Sequence, residues 1–136
     1  GLEDELFPGQ SGGDEDEEVK SFVHAALSLH SDASAVAVST RLKDAREKSD
    51  QLLDALERAI HQTLLWKTDM VDANALSAFP ESWQRISEKI PLKSLNTMLE
   101  AIFEARRLRL GQVNWQSTVD QLMIKLLEEQ SVWQQS

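Results

Sequence analysis

The spacing of apolar residues is the feature that most restricts the fold of this 136-residue chain. From Glu17 onward, apolar side chains recur every three or four residues, which is the period of one face of an α-helix, and strand patterns are absent. The most periodic segment runs from Ala45 to Thr68, with an apolar face made of Leu52 or Leu53, Leu56, Ile60 and Leu64. The sequence therefore predicts an all-α protein, a compact bundle of five or six helices.

Five other segments carry the same helical pattern, beginning near Glu17, Ala33, Pro80, Pro91 and Asn114. Each has an apolar stripe that is expected to face the core. The residues predicted to point inward are Val19, Phe22, Val23, Ala26, Leu27, Trp83, Ile86, Ile90, Leu92, Leu95, Leu99, Ile102, Val119, Leu122, Met123, Leu126 and Leu127, with Met98 and Phe103 beside them.

Residues that favour the start or the end of a helix lie at three places between these segments. Ser31 with Asp32 and, later, Asn114 offer side-chain oxygens that can accept hydrogen bonds from the first free N–H groups of a helix. Gly111 is expected to end the fifth helix in a left-handed conformation, which glycine adopts at low cost.

The first residues of the chain differ in composition from the rest. Eight of the 23 acidic residues lie in 1–18, which hold no Lys or Arg, so the remaining 15 acids and 14 bases leave the body nearly neutral although the net charge is -9. Such a segment is too poor in apolar surface to offset the entropy cost of ordering it. We expect residues 1–16 to be an acidic, flexible leader or linker and residues 17–136 to be the folded domain. The alternative is an acidic peptide that docks on a basic partner through Leu6 and Phe7.

Motifs for catalysis, nucleotide binding and metal binding are missing from the sequence. There is no cysteine, and no glycine-rich phosphate loop, since the glycines lie before residue 14 or stand alone at Gly111. His24, His30 and His61 do not have the spacing of a helical metal site, and no serine has the context of an activated nucleophile. The sequence predicts a non-enzymatic domain that needs no cofactor and no metal. Without a membrane-spanning run or a signal peptide, we expect it in the cytoplasm.

A short basic cluster and four tryptophans are the remaining candidates for function. Arg106, Arg107 and Arg109 lie at the end of the fifth helix, where cations complement the helix dipole. They could instead belong to a protein interface or contact phosphate, although the acidic chain, with a pI near 4.7, disfavours nucleic acid. Arg and Trp are enriched at protein interfaces. The candidate interface is therefore Arg106, Arg107, Arg109, Trp115 and Trp133, whereas Trp66 and Trp83 are expected in the core.

The chain resembles a known family over roughly Glu17 to Glu129. The run from Ile86 to Glu129, preceded by "REKSDQLLDALERAIHQTLLWK", is similar to the C-terminal domain of bacterial DNA polymerase III clamp-loader subunits, above all delta-prime and, as the second choice, gamma/tau. The matching residues are Leu95, Leu99, Glu100, Ala101, Ile102, Ala105, Arg106, Arg107, Leu108, Asn114, Leu122, Leu126 and Leu127. The chain departs from the family pattern at His61 and Gln62, where many relatives have Arg-Asp, and at Trp115, where they have proline.

In that family the domain is an oligomerisation module. The resemblance implies that this chain joins the C-terminal domains of other clamp-loader subunits in the collar, a ring that supports sliding-clamp loading during DNA replication. It also implies a bacterial protein of the cytoplasm. Because the sequence has no extensive basic surface and no membrane-spanning run, we expect this domain to bind neither DNA nor a membrane. The chain contains no counterpart of the ATPase and lid domains that precede this region in the family.

Two other classes of function compete with this interpretation. An unrelated helical protein-protein interaction module would bind an amphipathic peptide in an exposed groove. A helical enzyme domain would need a polar pocket, for which the sequence offers no candidate residues.

Overall fold

The computed structural model describes the backbone of residues 9–68, 74, 79, 81–111 and 114–134, and the side chains of these residues except 9–16, 82, 86, 133 and 134. Within that part of the chain there are α-helices and short 3-10 segments, but no strand, which confirms the all-α prediction. The elements are α1 (Gly9–Ala26), α2 (Asp32–Ala45), the 3-10 turn (Arg46–Lys48), α3 (Ser49–Lys67), α4 (Glu81–Ile86), α5 (Leu92–Leu110) and α6 (Trp115–Gln134).

The first helix begins earlier than its apolar pattern suggests. Helix α1 starts at Gly9, inside the predicted leader, rather than at Glu17. Residues 1–8, with Leu6 and Phe7, lie outside the described residues, so the proposed docking peptide stays a prediction.

The long helix predicted from Ala45 to Thr68 is interrupted at its start. Helix α2 runs on to Ala45, and Arg46 then has a φ of 56°, in the left-handed region that costs a non-glycine residue about 1–2 kcal/mol. The Ser49 hydroxyl donates a hydrogen bond to the Arg46 carbonyl oxygen at 2.6 Å, which closes the turn before α3 begins. The apolar pattern of α3 gives no sign of this break, because the break depends on backbone conformation.

The core is a single cluster of buried side chains. Five helices contribute several of these side chains each, and α4 contributes Trp83. The predicted stripes of α1, α3 and α6 are buried or half-buried, as expected. Helix α6 packs between α5 and α2, and α3 packs on α5 and α1. Because α5 and α6 are joined by a short loop, they lie antiparallel as neighbours.

On α5 the predicted inward face is partly wrong. Its buried residues are Ser94, Leu95, Met98, Ile102 and Ala105. Leu99 is only half-buried, and Leu92 and Phe103 are exposed. The stripe is narrower than the sequence suggests, because a helix turns by about 100° per residue and Phe103 is therefore rotated away from the buried Ile102.

Two of the three predicted helix ends are confirmed. The Ser31 side chain accepts from the Ser34 N–H at 3.1 Å in a capping box at the start of α2. The Asn114 side chain accepts from the Ser117 N–H at 3.1 Å at the start of α6. The prediction for Gly111 is wrong: its φ is -82°, and its N–H donates to the Arg107 carbonyl oxygen at 3.1 Å, so α5 ends without a left-handed residue.

A buried glutamine connects the last helix to the end of the first. Gln130 on α6 is fully buried, and its side-chain oxygen accepts from the Leu29 N–H at 3.0 Å. Its side-chain nitrogen donates to the Ala26 carbonyl oxygen at 2.7 Å. These bonds join the backbone at the end of α1 to α6 inside the core.

Polar contacts also hold α4 against α3. The indole N–H of the fully buried Trp83 donates to the Thr63 hydroxyl at 2.9 Å, as expected for a core tryptophan. The Lys67 ammonium donates to the carbonyl oxygens of Ser87 and Glu88, both at 2.9 Å, and so caps the end of α4. Burial lowers the pKa of Lys67, and the Glu88 carboxylate partly offsets this effect.

Candidate protein interface

The arginine cluster at the end of α5 divides into two groups in the structure. Arg106 lies against α3, where its Nη2 is 2.5 Å from an Asp54 carboxylate oxygen and 3.4 Å from a Glu57 carboxylate oxygen. Its Nε is buried without a hydrogen-bond partner among the described residues. Arg106 therefore joins α5 to α3 inside this domain.

Arg109 makes the most extensive set of contacts in the cluster. Its guanidinium binds the Ser49 hydroxyl and lies 3.0 Å from an Asp50 carboxylate oxygen. It also stands over the Trp115 ring at 4.5 Å from the ring centroid, a cation-π contact. Arg109 thus connects the start of α3, the end of α5 and the start of α6 at one point.

Arg107 points away from α3. Its guanidinium donates two hydrogen bonds to Glu104 one turn earlier on the same helix, at 3.1 Å and 2.6 Å. That hydrogen bonding lowers the pKa of the Glu104 carboxyl and raises the pKa of Arg107. The Arg107 side chain is 60% exposed, so of the three arginines it is the one with most of its surface available to a partner.

Two large apolar side chains flank Arg107 on the surface. Phe103 is 68% exposed and Leu110 is 86% exposed. With Arg107 they occupy positions i, i+4 and i+7 of α5, which lie on one face of a helix. We call Phe103, Arg107 and Leu110 the α5 face; the exposed Leu92 continues the same line toward the start of the helix.

The sequence-predicted interface residues therefore have different positions. The structure brings Arg109 and Trp115 together, places Arg107 on the α5 face, and directs Arg106 toward α3. Trp115 is half-buried, and its indole N–H is enclosed without a hydrogen-bond partner in the described part of the chain. Trp133 lies in α6, but its side chain is outside the described residues. Its interface role stays a prediction, as do those of the arginines.

Phe103 and Leu110 were missed as surface residues. Both are apolar residues in an apolar helix, and Phe103 was expected to support the core. Spacing alone could not separate them from core residues, since an interface stripe has the same i, i+4, i+7 pattern as a core stripe.

The described residues form no group of three or more His, Asp or Glu side chains that could hold a metal ion. All three histidines are exposed. Among the helices in the described ranges, none is both long and apolar enough to cross a membrane. The α5 face offers two exposed apolar side chains and the Arg107 guanidinium, which can form two hydrogen bonds to one carboxylate. Such a combination suits contact with another protein.

Comparisons of the chain with protein-family models, with curated proteins and with solved structures find no match.

Proposed function

We propose that this chain is a non-catalytic oligomerisation domain of the bacterial DNA polymerase III clamp loader, similar to that of the delta-prime subunit. It would act in the bacterial cytoplasm, joining the C-terminal domains of sister subunits in the collar that supports sliding-clamp loading during DNA replication. The sequence pattern from Ile86 to Glu129 supports the family assignment. The α5 face, which falls inside that region, is the observation that carries the proposal.

The composition of the α5 face suits a protein partner. Phenylalanine and arginine are enriched in interfaces, and a contiguous set of large exposed apolar side chains on a domain is typical of a surface that a partner covers. Burying a side chain such as Phe103 or Leu110 contributes roughly 1.5–3 kcal/mol. Two such side chains around one arginine can form the central anchor of a contact.

Arg107 can change its partner at low cost. Its pair with Glu104 is exposed to solvent on both sides, and exposed ion pairs contribute little to stability. A carboxylate from a neighbouring subunit would meet the same guanidinium next to Phe103 and Leu110, where water is excluded and a bidentate pair is stronger. Charge pairing of this kind favours one neighbour over another in a ring of non-identical subunits.

The other two arginines support the face indirectly. Arg106 and Arg109 attach α5 to α3 and α6 by ion pairs, a hydrogen bond and a ring contact. A helix that is held on its inner side presents its outer side in a fixed orientation, which lowers the entropy cost of association. We therefore assign these two arginines to positioning and Arg107 to direct contact.

The test is sedimentation velocity of the full chain mixed with the purified C-terminal domains of the other clamp-loader subunits from the same organism. We expect a heteromeric complex. A Phe103→Asp/Leu110→Asp variant should weaken it at least tenfold, because each change places a charge in the apolar contact. The matched control is Gln62→Glu/Gln116→Glu, which adds the same charge at two exposed positions on other helices and should bind normally.

Three results would count against the proposal. Failure of the unmodified chain to bind any sister domain would remove the clamp-loader assignment and favour an unrelated helical interaction module. Normal binding by the Phe103→Asp/Leu110→Asp variant would exclude the α5 face as the contact. Retention of duplex DNA by the chain at physiological salt would contradict association with protein as its role.

A further inference from the structure

A groove separate from the α5 face runs between α2 and α6. The two helices are antiparallel, since the start of α2 lies beside the later part of α6 and the Lys43 ammonium near the end of α2 is 2.8 Å from an Asp120 carboxylate oxygen early in α6. The groove encloses about 680 Å³. It is lined by Asp32, Ala35, Val36, Ser39, Lys43, Asp120, Met123, Ile124, Leu127 and Glu128.

The middle of the groove is apolar. Ala35 and Met123 are buried at its floor, while Val36 and Ile124 are 63% and 53% exposed on its two walls. Two branched apolar side chains facing one channel from different helices leave apolar surface in water that a ligand could cover. The α2 wall from Asp32 to Lys43 is about 16 Å long, at 1.5 Å per residue, which matches about three turns of a docked helix.

The ends of the groove differ in charge. At one end, Asp120 accepts hydrogen bonds from Lys43 and from the buried Ser39 hydroxyl, which is 2.7 Å away, so the charges there are paired. At the other end stand the carboxylates of Asp32 and Glu128, both exposed. Neither forms an ion pair within the described residues. The groove therefore combines an apolar centre with one acidic end.

We infer that this groove binds an amphipathic helix of a partner protein that carries Lys or Arg residues at one end. Apolar anchors at i, i+4 and i+7 would cover Val36 and Ile124, as in helix-in-groove recognition. The basic residues would face Asp32 and Glu128. An anionic membrane surface would be repelled by these carboxylates, and so would the acidic segment at the start of this chain.

This inference goes beyond the proposed function and does not depend on it. The groove residues lie on α2 and α6, whereas Phe103, Arg107 and Leu110 lie on α5. A domain in a ring needs separate surfaces for separate neighbours, but a helical interaction module outside a clamp loader could use the same groove. The two proposals can therefore fail independently.

The test uses two synthetic helical peptides of about 14 residues that differ at two positions. Both have leucines at i, i+4 and i+7 and alanines elsewhere, and one carries two lysines at one end where the other carries two glutamates. Binding to the full chain is followed by fluorescence anisotropy. We expect the lysine peptide to bind at least tenfold more tightly than the glutamate peptide, with a preference that falls as salt is added.

Charge reversal supplies the decisive comparison. An Asp32→Lys/Glu128→Lys variant should lose the preference for the lysine peptide or favour the glutamate peptide. If this double variant is unstable, Glu128→Lys alone replaces it in the test and should reduce the preference. The matched control, Glu17→Lys/Glu81→Lys, changes the net charge equally at two exposed positions away from the groove and should keep the preference. The Phe103→Asp/Leu110→Asp variant should bind both peptides as the unmodified chain does, whatever its effect on sister subunits.

Several outcomes would overturn the inference. It would be overturned if the lysine peptide did not bind, or if the two peptides bound equally. It would also be overturned if Asp32→Lys/Glu128→Lys and its control lost the preference for the lysine peptide equally. The last result would mean that the general acidity of the chain attracts the peptide.

Discussion

Arg106, Arg107 and Arg109 lie within four consecutive positions of the chain, yet their surroundings give them different contacts. The guanidiniums of Arg106 and Arg109 each meet a carboxylate of α3 and are about one-third exposed, whereas Arg107 pairs with its own helix in solvent. An arginine with several partly buried partners contributes more to stability than one in an exposed pair. Replacing all three together would mix loss of folding with loss of association.

We expect Arg109→Ala to destabilise the domain by about 1–3 kcal/mol, because it removes an ion pair, a hydrogen bond to the buried Ser49 hydroxyl and the contact with Trp115. Thermal unfolding followed by circular dichroism measures this as a fall of several degrees in Tm. Arg107→Ala is the control and should leave the Tm unchanged. Equal effects of the two substitutions would contradict the division of the cluster.

Asp120 provides a pH-dependent test of the packing of α2 against α6. Hydrogen bonds from Lys43 and then from Ser39 hold the pKa of the Asp120 carboxyl below its ordinary value. A group whose pKa is lower in the folded state stabilises the fold above its unfolded pKa, near 4, and loses that contribution as the pH falls through the folded value.

At pH 7 the unmodified chain should therefore be more stable than Asp120→Asn by a few tenths to about 1 kcal/mol. This free-energy difference is small because the Asp120 side chain is about half exposed, so solvent screens its charge. The difference should shrink below pH 4, as measured by urea unfolding at pH 7 and pH 3. In a Lys43→Met background, the substitution should have a smaller effect at pH 7. A difference that is the same at both pH values would mean that this contact is absent in solution.

At the scale of the helix, α5 has two sides of different composition. Its inner side contributes Leu95, Met98 and Ile102 to the core, and its outer side carries the α5 face. Helix α6 is capped at its start by Asn114, and near its end Gln130 binds backbone groups at the end of α1. The Gln130 contacts fix α6 relative to α1 more precisely than apolar packing alone.

Gln130→Ala should destabilise the domain by about 1–3 kcal/mol, because it removes two buried hydrogen bonds, one from the Leu29 N–H and one to the Ala26 carbonyl oxygen. Chemical unfolding measures the change. Gln121→Ala, at an exposed position of the same helix, removes the same side chain and should have almost no effect. If both variants were equally stable, Gln130 would not bridge α1 and α6.

The period of apolar residues was sufficient to predict the helices and most of the core on α1, α3 and α6. It could not distinguish Phe103 on the surface from Ile102 in the core, because neighbouring apolar residues give a stripe whose centre is ambiguous. Nor could it predict the partners of Arg106 and Arg109, which lie some fifty to sixty residues earlier on α3. Contacts between distant segments depend on how helices pack, and local spacing does not contain that information.

At the scale of the whole molecule, charge and apolar surface lie in different places. The net charge of -9 comes mostly from residues 1–18, and the nearly neutral remainder carries the α5 face and the groove between α2 and α6. Two separate surfaces with different chemistry would allow this domain to contact two different neighbours. Association with protein partners is therefore the activity that the described surfaces support best.

The most direct test of this account places a probe on the α5 face. The chain has no cysteine, so a Phe103→Cys variant can be labelled at one site with an environment-sensitive fluorophore. Adding the C-terminal domains of sister clamp-loader subunits should shift the emission to shorter wavelength as the face is covered, while the same label at Gln62→Cys should not respond. An unchanged emission at position 103 after the domains are added would contradict association through the α5 face.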